Sequence, residues 1–275
     1  MIFADPKDVD YGKRHRGMYA FDERSGKLIW SADTPREWAF SSPPTAISGS
    51  VYTVAAGDGG EVYAYAESSG ALKWQAYTVG GDDSSPVVTA RDLYVSFSCP
   101  QTYDLNPANG KQRWHYDGSC SGGGGSTPAL YDGLLFIEDA QITSEYNGLI
   151  LTEKGKVVGR FNSDFTPAFA NYRGYFVTGY GSILESAAIP SMRQTWSVTL
   201  SGDQYVTPPL IVGDTVYVET AAGVLFGYAA KTGKQLVEMN LGSYGIYQRS
   251  SLGLGYGSHE LFVPDGSELI ALKGS

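Results

Sequence analysis

The chain has no long apolar run, little positive charge and few cysteines, and these shortages exclude several classes of protein. No stretch of 18 apolar residues occurs, so no transmembrane segment is predicted. The 20 Lys and Arg face 29 Asp and Glu, a formal net charge of −9, so no basic surface neutralises phosphate and no nucleic-acid partner is expected. The motifs of metalloproteases, phosphate-binding loops and Cys-x-x-Cys redox sites are also missing, and no metal site is predicted.

What the chain does have is a repeat. In its three clearest copies a Gly lies four residues before a Trp, and these copies run from Tyr19 to Trp30, from Tyr63 to Trp74 and from Tyr103 to Trp114. A second marker, Ser-Pro or Thr-Pro, runs in step and ends at Pro43, Pro86, Pro128, Pro167 and Pro208. Both markers recur about every 41 residues, which is the period of a four-stranded propeller blade.

Each repeat unit is predicted to contain four short strands. In the unit that begins at Pro208, runs rich in Val, Leu, Tyr and Phe alternate with turns rich in Gly, Asp and Lys. The four runs cover residues 208–212, 215–219, 224–228 and 235–239. One such unit cannot bury both of its faces, so the units are expected to stack around a ring.

The pattern Tyr-Ala-(Phe/Tyr)-Asp … Gly-Lys-x-x-Trp resembles the tryptophan-docking repeat of the pyrroloquinoline quinone (PQQ)-like β-propeller superfamily, over roughly residues 17–275. The resemblance implies that each Trp docks between neighbouring blades and that the Gly permits a tight turn. It implies architecture rather than chemistry. The quinone-dependent dehydrogenases of the superfamily carry adjacent cysteines beside the quinone, which this chain lacks. No cofactor is therefore predicted, with PQQ plus calcium as the alternative that the resemblance raises.

The strand count predicts one all-β domain over residues 1–275, a seven-bladed propeller of four-stranded antiparallel blades. Five complete units lie between Pro43 and Ser251. The runs 2–4, 18–21 and 28–30 read as the last three strands of a unit before them, and 252–254, 261–263 and 269–272 as the first three strands of a unit after them. Six and eight blades are the alternatives: six would leave the first residues over, and eight would need sequence beyond this chain, as in a fragment of a longer protein.

The two cysteines are predicted to form a disulfide. Cys99 ends the second strand of its unit and Cys120 follows the fourth, and in an up-and-down blade these two strand ends share an edge. A bridge of this loop length contributes about 3 kcal/mol in the chain-entropy model. Disulfides persist in oxidising compartments, so an extracellular or cell-envelope location is predicted, against the alternative of two reduced thiols.

A binding site is predicted where the loops between blades open at the central channel. Three residues before each Pro marker the sequence varies from blade to blade, while the strands stay repetitive. The predicted ligand-binding residues are Trp38, Asp83, Asp164, Tyr205 and Arg249. Trp38 and Tyr205 offer flat apolar faces with polar tips, the carboxylates accept hydrogen bonds, and Arg249 pairs a carboxylate. Turn residues chosen for solubility are the alternative interpretation.

These observations predict an exported, non-catalytic propeller scaffold, expected to be a monomer, whose channel-mouth loops bind a protein partner or a saccharide or peptide ligand. The alternative is an enzyme that uses the central channel, either a quinone-dependent dehydrogenase or a saccharide lyase or hydrolase. No catalytic residue is nominated, because nothing in the sequence sets the pKa of one group apart.

Overall fold

The computed structural model describes the greater part of the chain, namely residues 2–5, 17–33, 43–57, 59–81, 84–97, 99–118, 127–138, 146–200, 207–242, 253–265 and 268–273. The described residues form β-strands and turns without any helix. The chain divides into two compact units, residues 1–160 and 161–275, and each is described by itself.

The first unit contains four antiparallel sheets in which consecutive strands pair with one another. Sheet 1 has β1 (Ile2–Asp5), β2 (Gly17–Phe21) and β3 (Leu28–Asp33); sheet 2 has β4 (Thr45–Ile47), β5 (Ser50–Gly57), β6 (Gly59–Ala66) and β7 (Leu72–Thr78); sheet 3 has β8 (Val87–Val88), β9 (Leu93–Phe97), β10 (Gln101–Leu105) and β11 (Gln112–Asp117); sheet 4 has β12 (Ala129–Tyr131), β13 (Leu134–Glu138), β14 (Gly148–Thr152) and β15 (Val157–Phe161).

The second unit contains three sheets with the same sequential pairing. Sheet 5 has β16 (Ala168–Ala170), β17 (Arg173–Thr178), β18 (Ile183–Ala188) and β19 (Arg193–Thr199); sheet 6 has β20 (Leu210–Val212), β21 (Thr215–Glu219), β22 (Val224–Ala229) and β23 (Gln235–Asn240); sheet 7 has β24 (Gly255–Gly257), β25 (Glu260–Asp265) and β26 (Glu268–Lys273).

Seven sheets confirm the predicted seven-bladed β-propeller. Within the described residues five of them have four strands, and the first and last have three, as the strand count predicted. In the first unit β3 pairs with β2, and in the second unit β26 pairs with β25. One boundary was predicted wrongly: the first strand of sheet 7 is 255–257 rather than 252–254, because the turn at Ser258 and His259 sets its register against β25.

The turn between the third and fourth strands repeats in four sheets and explains the Gly of the sequence pattern. In sheet 1 the Gly26 N–H donates to the Asp22 carbonyl and the Asp22 N–H donates to the Lys27 carbonyl, both at 2.8 Å. Gly26 adopts a left-handed backbone conformation, with φ of +64°. Gly70, Gly110 and Gly233 repeat this geometry with φ between +68° and +70°. A left-handed residue is strained unless it is glycine, which is why the position repeats.

The Trp of one sheet packs on the turn glycine of the next sheet. The Trp30 Nε1–H donates to the Glu67 carbonyl at 2.8 Å, and a Cβ on Gly70 would lie 2.5 Å from the indole. The same arrangement joins Trp74 to Gly110, Trp114 to Gly155 and Trp196 to Gly233. Each indole therefore fills space that only glycine leaves open and satisfies its one donor, so sequence pairs about 40 residues apart hold adjacent sheets together.

The core lies between the faces of adjacent sheets. In the first unit, apolar clusters join sheets 1 and 2, sheets 2 and 3, and sheets 3 and 4. In the second unit, clusters join sheets 5 and 6 and sheets 6 and 7. The middle strands are buried on both sides: all five residues of β9 and of β10 are buried. The outermost strands alternate between half-buried and exposed, which is typical of an edge strand with one covered face.

Candidate binding site at the loop edge of the sheets

Each sheet has two ends along the direction of its strands, which are called the turn edge and the loop edge after the connections that lie there. At the turn edge, strand 1 passes to strand 2 and strand 3 to strand 4 through short turns. At the loop edge, strand 2 passes to strand 3, and strand 4 leaves for the next sheet through a longer loop. The predicted site residues belong to these longer loops. Asp164 is the member that the structure describes; Trp38, Asp83, Tyr205 and Arg249 lie outside the described residues, so their convergence stays a prediction.

Asp164 ties the loop before sheet 5 to that sheet. Its backbone N–H donates to the Val177 carbonyl at 2.6 Å, and its Oδ2 accepts the Gly181 N–H at 2.8 Å. The neighbouring Ser163 hydroxyl donates to the Phe165 carbonyl at 2.6 Å. The carboxylate that was predicted as a ligand group thus also holds the β17–β18 connection in place.

That connection is a left-handed turn. Gly179, Tyr180 and Gly181 have φ of 65°, 58° and 77°, and the Ser182 N–H donates to the Thr178 carbonyl at 3.2 Å. The Ser182 hydroxyl also donates to the Gly179 carbonyl at 2.6 Å. A left-handed conformation costs a non-glycine residue about 1–2 kcal/mol, so Tyr180 is held there by the hydrogen bonds around it.

Tyr180 projects from this turn into solvent. Its side chain is 83% exposed, more than any other large apolar or aromatic side chain in the described part of the chain. The ring is thus accessible at the same edge of sheet 5 as Asp164.

In the first unit the loop edge of sheet 3 carries a polar network. The Gln101 Nε2–H donates to the Asp117 carboxylate at 2.8 Å, which turns its Oε1 towards the His115 ring, 2.6 Å from Nε2. The oxygen accepts, so His115 carries its proton on Nε2. The imidazole also stacks on Tyr103, with ring centroids 4.1 Å apart and 6° between the planes. Burial lowers the pKa of His115, and the nearby Asp117 carboxylate opposes that effect.

Tyr103 links this network to the loop between sheets 2 and 3. Its hydroxyl oxygen accepts the Val79 N–H at 2.7 Å, and the Thr78 hydroxyl donates to the Gly80 carbonyl at 3.2 Å. Burial raises the pKa of Tyr103, with the Val79 N–H acting in the opposite direction. The phenol is therefore neutral at physiological pH and serves as a fixed support for the loop.

Two buried glutamates lie at the same edge of other sheets. Glu61 is 3% exposed and accepts a hydrogen bond from the Tyr63 hydroxyl. Glu219 is 2% exposed; its N–H donates to the Thr207 hydroxyl oxygen at 3.0 Å, and its carbonyl accepts the Thr207 N–H at 2.9 Å. Thr207 thus anchors the loop that enters sheet 6, as Asp164 does for sheet 5.

The structure describes one of the two cysteines. Cys99 lies in the β9–β10 connection with φ of 58°, and Cys120 lies outside the described residues, so their pairing stays a prediction. The flanking chain runs side by side: Gln101 is opposite Asp117, and the Gly118 N–H donates to the Pro100 carbonyl at 3.1 Å. The residue after Cys99 is therefore hydrogen-bonded to Gly118 at the loop edge of sheet 3.

The chemistry of the described loop edge is that of hydrogen bonding and aromatic contact. Within the described residues, no three His, Cys, Asp or Glu side chains are grouped closely enough to hold a metal ion. The described part of the chain also contains no apolar helix of membrane-spanning length.

The network residues were not predicted from the sequence. Glu61 and Gln101 lie nine residues before the turn glycines Gly70 and Gly110. An alignment of the repeats on these glycines would therefore have placed the two polar residues at the same position of the repeat. Tyr180 is flanked by two glycines, and a Gly-x-Gly between two predicted strands was the available signal for an unusual turn.

The fold and repeat define a class, the PQQ-like β-propellers. The sequence model of the family described as "Outer membrane protein assembly factor BamB" matches residues 14–164 and 151–274, and the chain belongs to that family of PQQ-like propellers.

Individual relatives differ in what their names describe. A tetrathionate hydrolase of Acidithiobacillus ferrooxidans is 29% identical in a match 250 residues long, and the match covers 82% of this chain and 45% of that protein. The chain thus spans about half the length of this curated relative.

Solved structures share the fold at low identity. BamB from Moraxella catarrhalis has a TM-score of 0.69 at 15% identity, over 93% of this chain and 78% of that one. Quinohemoprotein alcohol dehydrogenase from Comamonas testosteroni has a TM-score of 0.63 at 14% identity, over 90% and 59%. At these identities the likeness concerns the fold alone.

Proposed function

We propose that the protein is an exported scaffold of the cell envelope or extracellular space that binds a protein partner through the loop edges of its blades, without catalysing a reaction. The observation that carries the proposal is Tyr180, an aromatic side chain held outside the fold on a strained turn by Asp164 and Ser182. The family description, an assembly factor of the outer membrane, supports a protein partner and an envelope location.

The contrast between the two sheet edges supports the same proposal. At the turn edge, the same pair of backbone hydrogen bonds occurs in four sheets. At the loop edge the contacts differ from sheet to sheet: Asp164, Thr207 and Tyr103 each fix a different loop through a different hydrogen bond. A rigid scaffold with individually fixed loops is the usual platform for recognition.

The shape of the Tyr180 turn favours a macromolecule over a small ligand. Small-molecule sites are concave, whereas a ring that is 83% exposed must enter a pocket on its partner. Tyr offers a large apolar area with few rotatable bonds and a polar tip, which suits an anchor residue in a protein interface.

Photo-crosslinking tests this proposal. Tyr180 is replaced by a photoreactive phenylalanine analogue, and the same replacement at Tyr172 is the matched control. Tyr172 belongs to the same sheet, also has a left-handed backbone conformation and is 66% exposed, but it lies at the turn edge. We expect a discrete protein adduct from position 180 in envelope fractions and none from position 172. Equal labelling from both positions, or no adduct at position 180, contradicts the proposal.

The contribution of the predicted channel-mouth residues is measured on the captured partner. Trp38→Ala and Arg249→Ala are expected to weaken its binding while leaving the unfolding transition unchanged. Full affinity in both variants moves the interface away from the predicted channel mouth.

A catalytic function is the second candidate, and the tetrathionate hydrolase relative is the observation that favours it. Incubation of the protein with tetrathionate, with the released sulfur products measured by ion chromatography, tests it directly. Thermal shift with PQQ plus calcium, and with a saccharide panel, tests the other enzyme classes. Turnover of tetrathionate, or a saturable shift with a quinone, would replace the scaffold proposal by an enzymatic one.

A further inference from the structure

The turn between β10 and β11, residues 106–111, joins sheet 3 to sheet 2. Its Pro107 carbonyl accepts the Trp74 Nε1–H at 2.9 Å and the Tyr52 hydroxyl at 3.1 Å. Gly110 of the same turn lies under the indole, and a Cβ there would be 2.6 Å from the Trp74 ring. Two side chains of sheet 2 therefore depend on the backbone path of this one turn.

The residue before the turn glycine has the same role in four sheets. Its side-chain oxygen accepts the backbone N–H two residues further along the chain, at 3.1–3.4 Å. These residues are Ser25, Ser69, Asn109 and Thr232. The oxygen is a hydroxyl in three of the turns and an amide oxygen in sheet 3. A side-chain amide makes this hydrogen bond as a hydroxyl does, but it also carries an electrophilic carbon, which a hydroxyl does not.

The surroundings of Asn109 favour attack on that carbon. Gly110 follows directly, so no side chain hinders the approach of its nitrogen to the Asn109 Cγ. The Lys111 N–H, 3.1 Å from Oδ1, polarises the amide and holds the side chain bent over the Gly110 peptide unit. Asn109 is exposed, so water reaches it. A nucleophile held beside its target within one chain reacts as if it were present at high concentration.

We propose that the Asn109–Gly110 bond is a site of spontaneous deamidation, a covalent modification of the turn that holds Trp74. The Gly110 nitrogen loses its proton and bonds to the Asn109 Cγ, and the side-chain nitrogen leaves as ammonia, which gives a cyclic imide. Water then opens the imide at either carbonyl and leaves aspartate or isoaspartate at position 109. One water is consumed and one ammonia is released, without oxidation or reduction. This turn-edge site is independent of the function proposed for the loop edge.

Isoaspartate at this position weakens the junction between sheets 2 and 3. It adds one methylene group to the main chain just before Gly110, in a turn that sheet 2 contacts at both Pro107 and Gly110. The added length shifts one contact relative to the other, so the Trp74 indole cannot keep both.

The fold controls the rate of the reaction. The Gly110 N–H donates to the Asn106 carbonyl at 2.8 Å, which opposes loss of its proton, so the closed turn reacts more slowly than the unfolded chain. Asn147–Gly148 is the internal comparison within the described residues: Asn147 is half-buried, and Gly148 is a buried residue of β14 opposite Glu138. Ring closure there pulls Gly148 out of the sheet and is expected to be slower still.

The test follows both sites in the whole protein, incubated in mildly alkaline buffer, then reduced, digested with trypsin and analysed by mass spectrometry. Peptide 92–111 reports on Asn109, since its other Asn, Asn106, precedes a proline whose nitrogen has no proton to lose. Peptide 114–154 reports on Asn147. We expect the amide-to-acid mass change to accumulate several-fold faster in peptide 92–111, and both rates to rise and converge in urea. Equal rates in the folded protein, or no conversion in peptide 92–111, overturns the proposal.

Two variants connect the modification to the junction. Asn109→Ser copies the turn of sheet 2, keeps an acceptor for the Lys111 N–H and has no electrophilic amide, so incubation should leave its urea midpoint unchanged. Asn109→Asp introduces the charge without the extra methylene group. The isoaspartate fraction of aged wild type, separated by ion exchange, is expected to unfold at lower urea than fresh wild type and than Asn109→Asp. An isoaspartate fraction that unfolds together with fresh protein, or an equal loss in aged Asn109→Ser, contradicts the proposed effect.

Discussion

At the scale of single residues, the contact between an indole and a glycine connects one sheet to the next. Gly70 is constrained twice, by its φ of +69° and by the Trp30 ring 2.5 Å from where a Cβ would lie. Gly26 has the same turn and a φ of +64°, but nothing lies within 4 Å of its Cβ position. A comparison of substitutions at Gly26 and Gly70 therefore separates the cost of backbone strain from the cost of lost packing.

Gly70→Ala is expected to lower the free energy of unfolding more than Gly26→Ala. The Gly26 variant should lose about 1 kcal/mol, from left-handed strain alone. The Gly70 variant should lose a further 1–3 kcal/mol or so, because the indole must move. Urea denaturation followed by Trp fluorescence measures both. Equal losses in the two variants would show that the Trp30 contact contributes nothing to stability.

A buried carboxylate in sheet 3 gives the protein a pH dependence. Asp104 is 3% exposed and occupies the position held by Ala20 and Ala64 in sheets 1 and 2. Burial raises the pKa of Asp104 from 3.8 to about 6, although Arg113, with NH1 3.6 Å from Oδ1, opposes the shift. The folded state therefore retains the Asp104 proton in a pH range where the unfolded chain has lost it.

Stability should fall as pH rises through this range. Between about pH 4 and 6 the folded protein binds more protons at Asp104 than the unfolded chain, so the free energy of unfolding decreases, by on the order of 2–3 kcal/mol in total. Asp104→Asn removes this dependence, and the variant should be more stable than wild type at pH 7.5 and lose that advantage near pH 4. The measurement is urea unfolding of both proteins across the range; parallel curves would show that Asp104 does not titrate as described.

At the scale of elements, the loop edge of sheet 3 brings two chain segments together. Gln101 lies opposite Asp117, and the Gly118 N–H donates to the carbonyl of Pro100, the residue after Cys99. We expect Cys99 and Cys120 to be disulfide-bonded in the exported protein. Thiol titration of the unfolded, unreduced chain should detect no reactive thiol, and reduction should lower stability by about 3 kcal/mol. Two reactive thiols per chain would contradict both the bridge and the argument for export.

The outer strands show how an element with a free edge avoids unwanted pairing. The fourth strands carry exposed charged side chains, including Lys73 in β7, Arg160 in β15 and Arg193 in β19, and charge on an edge strand discourages strand addition. Exposed apolar residues such as Leu72 and Val158 lie on the same strands as these charges.

At the scale of the whole molecule, the net charge of −9 opposes self-association. We expect a monomer of 29.5 kDa in size-exclusion chromatography with light scattering. A dimer at low ionic strength would contradict this expectation.

The sequence by itself determined the repeat, the number of blades and the strands of each unit, because alternation, turn residues and the Gly-to-Trp spacing are local properties that one chain displays directly. It also marked Asp164. Only the tertiary structure decided that Asp164 caps the Gly181 amide, that Tyr180 stands on a left-handed turn, and that Gln101 joins His115 to Asp117. These features depend on which residues of different strands and loops become neighbours in space, and no local pattern encodes that.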